Sequence, residues 1–293
     1  MRAPVLLLLI CAAAGPAQTL QDALHRRIAG FPATVSLYAK NLDSGVSVGI
    51  RDTEPVRTAS TIKLPIMLAV FDAVSRGQAQ WSEPLTVTAR NQVAGSGVLG
   101  TEFSQGDRLP LRAVMHLMIV LSDNTATNMI LDRFTADAVN AYLDRIGIRT
   151  TRSLRKVMGD GPPEGFSAAG KLPGNTRYGL GVSTPRDMVS ILEKLEHGAI
   201  VSPEASREMI AVLKRCQDST GMRRSLPDLP IANKTGALDA LRSELGIVYS
   251  PGGRIAMAIT VDGMAKPDWT PDNPGSLLIA GLAKTLVEGL ARK

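Results

Sequence analysis

Strand-like alternation stands at both ends of this chain, with a long and mostly helical middle between. Near the N-terminus, Thr34-Val35-Ser36-Leu37-Tyr38-Ala39 alternates, Asn41-Leu42-Asp43-Ser44-Gly45 reads as a turn, and Val46-Ser47-Val48-Gly49-Ile50 alternates again. That pattern predicts a hairpin. Near the C-terminus, Glu244–Tyr249 and Arg254–Val261 are short and β-rich, and the turn Ser250-Pro251-Gly252-Gly253 joins them. Isolated hairpins are marginal, so the two ends are expected to meet in one antiparallel sheet.

The middle follows a helical period. Thr61–Val74 is mostly apolar, which predicts a buried helix, and Leu111–Leu121, Thr125–Phe134 and Ala136–Ile146 follow. Thr184-Pro185-Arg186-Asp187 opens a helix to about His197. There Thr184 is the N-cap, Pro185 the first helical residue, and Asp187 a carboxylate meeting free amides. Thr19–Ile28 and Leu277–Leu290 read as helices that accompany the strands. The expected fold class is α+β: an antiparallel sheet with flanking helices built from both chain ends, plus an all-helical lobe. Residues 18–59 and 213–293 form the sheet lobe and residues 60–212 the helical one. A site is expected in the cleft between them.

Met1-Arg2, the apolar run Val5–Ala14 and the small residues Gly15-Pro16-Ala17 resemble a secretory signal peptide, with cleavage expected near Ala17. The run is too short for a permanent span, which takes about 20 apolar residues. The chain is therefore expected to be exported, to the periplasm or beyond. Ile10 before Cys11 argues against a lipid anchor, since a lipobox wants a small residue there. Without Cys11, Cys216 has no partner for an internal disulfide, and it reads as a helix-packing thiol. The net charge is +6 with scattered basic residues, and only 4% of residues are aromatic, too few for a stacking platform. No nucleic-acid partner is expected. No cofactor and no metal are expected either: His25, His116 and His197 stand in no metal-ligand spacing, and Gly95-Ser96-Gly97 lacks the context of a dinucleotide loop.

Three short strings carry the chemistry: Ser60-Thr61-Ile62-Lys63, Ser122-Asp123-Asn124 and Lys234-Thr235-Gly236. A second Ser-x-x-Lys, Ser153-Leu154-Arg155-Lys156, precedes a Gly/Pro-rich loop, whereas Ser60 precedes an apolar helical run. Residues three apart share a helix face, so Lys63 lies within reach of the Ser60 proton. A lysine serves as a base near neutral pH only if burial and a neighbouring cation lower its pKa, and Lys234 across the cleft is that cation. Ser122 relays a proton to a leaving nitrogen. Asn124 orients Lys63 and holds a substrate amide. Lys234 and Thr235 bind a carboxylate by charge and hydroxyl. Gly236 permits close backbone approach. The amides of Ser60 and Ala237 form the oxyanion site. Ser153, the helix-borne His116 and Cys216 fit no such arrangement.

The three strings in this order are a signature of class A β-lactamases and penicillin-binding proteins. The chain resembles the class A β-lactamase family over nearly everything after the leader. Ser122–Asn128 is similar to that family's helix start, Ser183-Thr184-Pro185 to the segment after its omega loop, and Leu241–Val248 to the strand after its Lys-Thr-Gly turn. The resemblance implies a monomeric serine hydrolase that opens β-lactam rings through an acyl-enzyme on Ser60, with Arg242 aiding carboxylate binding. The same strings would serve a peptidase acting on D-Ala-D-Ala-like peptides, or a β-lactam sensor that stays acylated. One departure is prominent. Val157 falls where the family's omega loop carries the glutamate that activates the deacylating water. Asp160 and Glu164 are the nearest carboxylates to take over that role, Asp160 being closer in sequence.

Overall fold

The structure is a computed structural model that describes residues 16–158 and 162–291. Helix α1 (Pro16–Ile28) leads into a hairpin of β1 (Thr34–Asn41) and β2 (Ser47–Ile50). After β3 (Val56–Arg57) and a 3-10 turn (Ala59–Ile62) come α2 (Lys63–Ser75), the small hairpin β4 (Pro84–Thr86) and β5 (Arg108–Pro110), then α3 (Leu111–Val120), α4 (Asn124–Phe134) and α5 (Ala136–Arg145). Strand β6 (Arg152–Ser153) opens a long loop that closes on β7 (Gly181–Ser183). Helices α6 (Pro185–Glu196), α7 (Pro203–Leu213) and the single turn α8 (Met222–Ser225) lead back to β8 (Ile231–Leu238), β9 (Leu241–Ser250), β10 (Gly253–Asp262) and the closing α9 (Pro274–Leu290).

The main sheet has the order β2-β1-β10-β9-β8, with every neighbouring pair antiparallel. The two chain ends do meet in one sheet, through β1 beside β10. Alternation in β10 sorts the two faces. Ile255, Met257, Ile259 and Val261 join Leu24 of α1 and Leu278, Leu282 and Leu286 of α9 in one core. Ala256 and Ala258 point the other way, into the core of the helical part. Their small side chains leave room for α6, which packs on β10 and β1. The center of the helical part is α2. Every residue from Lys63 to Phe71 is buried, as befits a helix that is apolar nearly all round. Lys63 is carried into the interior because it begins that helix.

The capping chemistry of α6 is as the sequence predicts: Thr184 Oγ1 accepts from the Asp187 amide at 3.1 Å. Other details differ. Lys234-Thr235-Gly236 lies within β8 rather than before it. The residues read as all-helical also contain β4–β5 and the short sheet β3-β7-β6. Helix α7 was legible only as the helix end before Cys216. Residues 1–15, holding the apolar run and Cys11 of the expected leader, lie outside the described residues. Among the described residues no helix is long and apolar enough to cross a membrane.

Leu282 is fully buried between α9 and the sheet. Leu282→Ala should cost about 2–5 kcal/mol of stability, the usual range for a cavity of that size. Urea unfolding should show a lower midpoint at unchanged slope.

Candidate active site

Ser60 sits in the 3-10 turn that runs directly into α2 and is partly exposed. The residue before it, Ala59, is a non-glycine at φ +45°. That left-handed conformation costs roughly 1–2 kcal/mol. It is held because Ala59 is 1% exposed and pressed against β8. A Cβ at Gly236 would stand 2.8 Å from the Thr58 carbonyl oxygen and 2.9 Å from the Ser60 amide nitrogen. Only glycine lets β8 close on the turn, and Ala237 is the next residue along that strand.

The lysines of the first and third strings converge on the serine of the second. Lys63 Nζ lies 2.7 Å from the Ser122 carbonyl oxygen, 3.0 Å from Asn124 Oδ1 and 3.3 Å from Ser122 Oγ. Lys234 Nζ lies 3.0 Å from the same Ser122 Oγ and 2.8 Å from the Thr235 carbonyl oxygen. Both lysines are 0% exposed. Burial pushes the Lys63 ammonium well below the ordinary lysine range, and the charge of Lys234 pushes it further, against the pull of Asp123. Burial also lowers Lys234, opposed by Cys216, Asp218 and Glu244. A neutral Lys63 amine has two N–H bonds and one lone pair. The Ser122 carbonyl and Asn124 Oδ1 can only accept, so they take the two N–H bonds and leave the lone pair for a hydroxyl proton.

Local sequence places Ser122. It links α3 to α4 at φ +55°, again left-handed for a non-glycine. Asp123 caps α4, accepting from Ala126 N at 2.8 Å, and also gathers Val98 N at 2.7 Å and Leu99 N at 2.8 Å. Asn124 donates to the Ala94 carbonyl at 3.3 Å, so the loop of Gly95-Ser96-Gly97 is tied to the same link.

Beside the Lys-Thr-Gly string lies a cavity of about 240 Å³ lined by Ser96, Thr235, Gly236, Ala237, Arg242 and Trp269, among others. Arg242 reaches it, but its guanidinium is engaged by the carbonyls of Leu238 and Leu241, each at 2.7 Å, and of Asp268. It also stacks on Trp269 at 4.9 Å. Two acids that the motifs did not single out line the same cavity, Asp218 and Glu244. Glu244 accepts from Asn233 Nδ2 at 2.6 Å and from Met222 N at 2.8 Å. Burial raises its carboxyl to about 7, against those two hydrogen bonds.

At its start the altered loop is tied to α4. Asn128, one turn beyond Asn124 on α4, accepts from Val157 N at 2.8 Å and donates to Val157 O at 3.0 Å. Its spacing from Asn124 was the available sequence signal. The Val157 side chain offers no proton acceptor. Glu164 is bound to Arg90 at 3.0 Å and its side chain is 43% exposed. Asp160 lies outside the described residues. Ser153 is buried in β6, its hydroxyl without a partner, while Lys156 pairs with Asp132. His116 lies on α3, and the buried thiol of Cys216 acts on Lys234 only through its charge.

The sequence model of the beta-lactamase enzyme family matches residues 17–290. The chain belongs to that family. Among relatives, the Beta-lactamase regulatory protein BlaB of Streptomyces cacaoi is 25% identical over 92% of this chain and 96% of its own length. A β-lactamase structure from Sphaerobacter thermophilus is 26% identical, with TM-score 0.79 over 92% of this chain and 96% of that one. The structure of PBP-A is 28% identical, with TM-score 0.76 over 92% and 95%. A PBP-A variant with leucine replaced by glutamate is known as an acyl-enzyme complex with penicillin G. The antiparallel sheet with flanking helices is the class A β-lactamase fold.

In this β-lactamase-family site, removing the Lys234 charge should let Lys63 hold its proton to higher pH. Titrating the 13Cε resonance of Lys63 in 13C-lysine-labelled protein checks this: the midpoint in Lys234→Met should move up relative to wild type.

Proposed function

We propose that this protein is an exported serine hydrolase that opens β-lactam rings through a Ser60 acyl-enzyme, with release of the acyl group as its slow step. The observation that carries the reading is the Ser122 hydroxyl held between two buried lysine amines, 3.3 Å from one and 3.0 Å from the other. In this reading the neutral Lys63 amine takes the Ser60 proton as Oγ attacks the lactam carbonyl. The amides of Ser60 and Ala237 donate to the developing oxyanion. When the C–N bond breaks, Ser122 Oγ hands its proton to the ring nitrogen and is resupplied from the lysines. Lys234 and Thr235 receive the substrate carboxylate, and Asn124 its side-chain amide.

Release needs a base that activates water on the far side of the ester. General-base assistance typically contributes about 10²–10⁴-fold. Val157 supplies none, and Glu164 is engaged by Arg90 on the outside of the loop. A second reading draws support from the same residue and from the likeness to PBP-A: a peptidase that acylates on a D-Ala-D-Ala-like peptide.

A chromogenic cephalosporin should give a stoichiometric burst followed by slow turnover. Intact-mass spectrometry should show one adduct, absent in Ser60→Ala; an adduct that persists there, or maps to Ser153, overturns the assignment. Fast steady turnover abolished by Asp160→Asn would overturn slow release and make Asp160 the base. Turnover of a D-Ala-D-Ala peptide far exceeding that of the cephalosporin selects the peptidase.

The missing base yields a second prediction. Val157→Glu should speed deacylation at least about tenfold, toward the range of general-base assistance. Single-turnover acylation should stay within about twofold of wild type, and Glu164→Gln should leave both steps unchanged, because the two half-reactions draw on different residues.

A further inference from the structure

The cavity beside the Lys-Thr-Gly string should attract anions if Arg242 on its lining and the buried Lys234, next to Thr235 in β8, were the only charges nearby. It is also lined by Asp218, from the loop after α7. Asp218 Oδ1 accepts from the Thr220 amide at 2.9 Å and from the Thr220 hydroxyl at 2.8 Å, so the carboxylate is fixed in position. Burial pushes its pKa up, but those two bonds, the Thr235 hydroxyl and the charge of Lys234 outweigh it, and the net shift is downward. The group is an anion at neutral pH.

This anion faces the residues that would receive a substrate carboxylate. Thr235 lines the same cavity as Asp218. Arg242 is already engaged by the carbonyls of Leu238, Leu241 and Asp268. Lys234 is engaged by Ser122 Oγ and the Thr235 carbonyl. Glu244 sits behind with both carboxyl oxygens bonded to protein groups. A lone carboxylate entering here meets the Asp218 anion as well as the Lys234 and Arg242 cations, and like charges at close range disfavour one another. A carboxylate accompanied by a cation would satisfy Lys234 and Asp218 together. Trp269, 64% exposed, forms the outer wall, so the subsite is open to a substituent of some size.

We infer that Asp218 is a specificity-determining residue, selecting substrates whose leaving portion carries a cationic group beside its carboxylate. This rests on the acyl-enzyme reading of Ser60. It defines a zwitterionic substrate class, with the ammonium on the leaving side of the scissile amide.

The test uses two cephalosporins with the same acyl side chain, one bearing a neutral acetoxymethyl group at C3 and the other a quaternary ammonium methyl group. Second-order acylation rates are measured by intact-mass spectrometry on the full protein. Wild type should favour the cationic compound by about fivefold to tenfold, and Asp218→Asn should erase that ratio, chiefly by gaining on the neutral-C3 compound, as expected for a partly screened charge pair. Asparagine keeps the acceptor for Thr220. A merely structural role would slow both compounds alike and leave the ratio unchanged, which overturns the inference. Asp218→Glu should retain the cationic preference; its loss there also counts against the assignment. If neither compound acylates wild type at Ser60, the acyl-enzyme reading falls and this inference with it. Acylation of both with a ratio indifferent to Asp218 overturns the inference alone.

Discussion

Two lysine side chains, Lys63 and Lys234, end on one serine hydroxyl with no access to water. Placing even one ammonium in a protein interior carries a penalty of several kcal/mol unless it is paired. Placing two side by side adds repulsion. The least costly outcome is that one gives up its proton, and Lys63 is the one pushed furthest, since it feels both burial and Lys234. Asp123 is close but commits its oxygens to Ala126, Val98 and Leu99, so it orders the Ser122 link rather than forming an ion pair with Lys63. Basicity at Lys63 is thus a property of three chain segments held together, and everything around the cluster serves to hold them.

The holding is visible in the backbone. Ala59 and Ser122 both adopt left-handed conformations that side chains disfavour, one beside the nucleophile and one at the shared hydroxyl. Such strain persists only where surrounding packing over-determines it. Around Ser60 the packing is β8, brought within contact by the absence of a side chain at Gly236. Around Ser122 it is the capped start of α4 and the Gly97 turn, where a Cβ would stand 2.2 Å from Asp123. The large cores on either face of the sheet supply the rigidity. Ile255, Met257 and Ile259 anchor β10 against α9, and β10 carries β9 and β8 in register.

What the sequence disclosed follows from what is local. Ser60 and Lys63 are three residues apart at the head of an apolar helix, so their placement in the 3-10 turn and the start of α2 was legible from spacing alone. The hairpin at Thr34–Ile50 and the cap at Thr184 were legible for the same reason. Strand β8 was not recognised through Lys234, because a strand is read from apolar residues at its buried positions and here the buried position is a lysine. Arg242 lines the cavity beside the Lys-Thr-Gly string, but its bonds to three carbonyls depend on chain reversals that no periodicity reports. Asp218 follows the end of α7 with no motif around it. Its meaning comes from β8 lying opposite, a contact made only in the folded chain.

The loop at Val157 shows how the two halves of the proposed reaction separate physically. The groups assigned to acylation come from the 3-10 turn and α2, the α3–α4 link and β8. The loop that carries Val157 is a different element, with its own scaffold. Asn128 fixes the Val157 peptide through two hydrogen bonds, Lys156 N donates to Glu164 O at 3.1 Å, and Ser167 Oγ donates to Ser153 O at 2.8 Å. Ordering each residue of such a loop costs about 1–2 kcal/mol of backbone entropy. At Val157 this scaffold carries an isopropyl group, which offers no proton acceptor. Such a group leaves unactivated the water that a carboxylate would turn into a nucleophile. On the proposed reading, the same scaffold that would make an ester short-lived with a base at Val157 makes it long-lived without one.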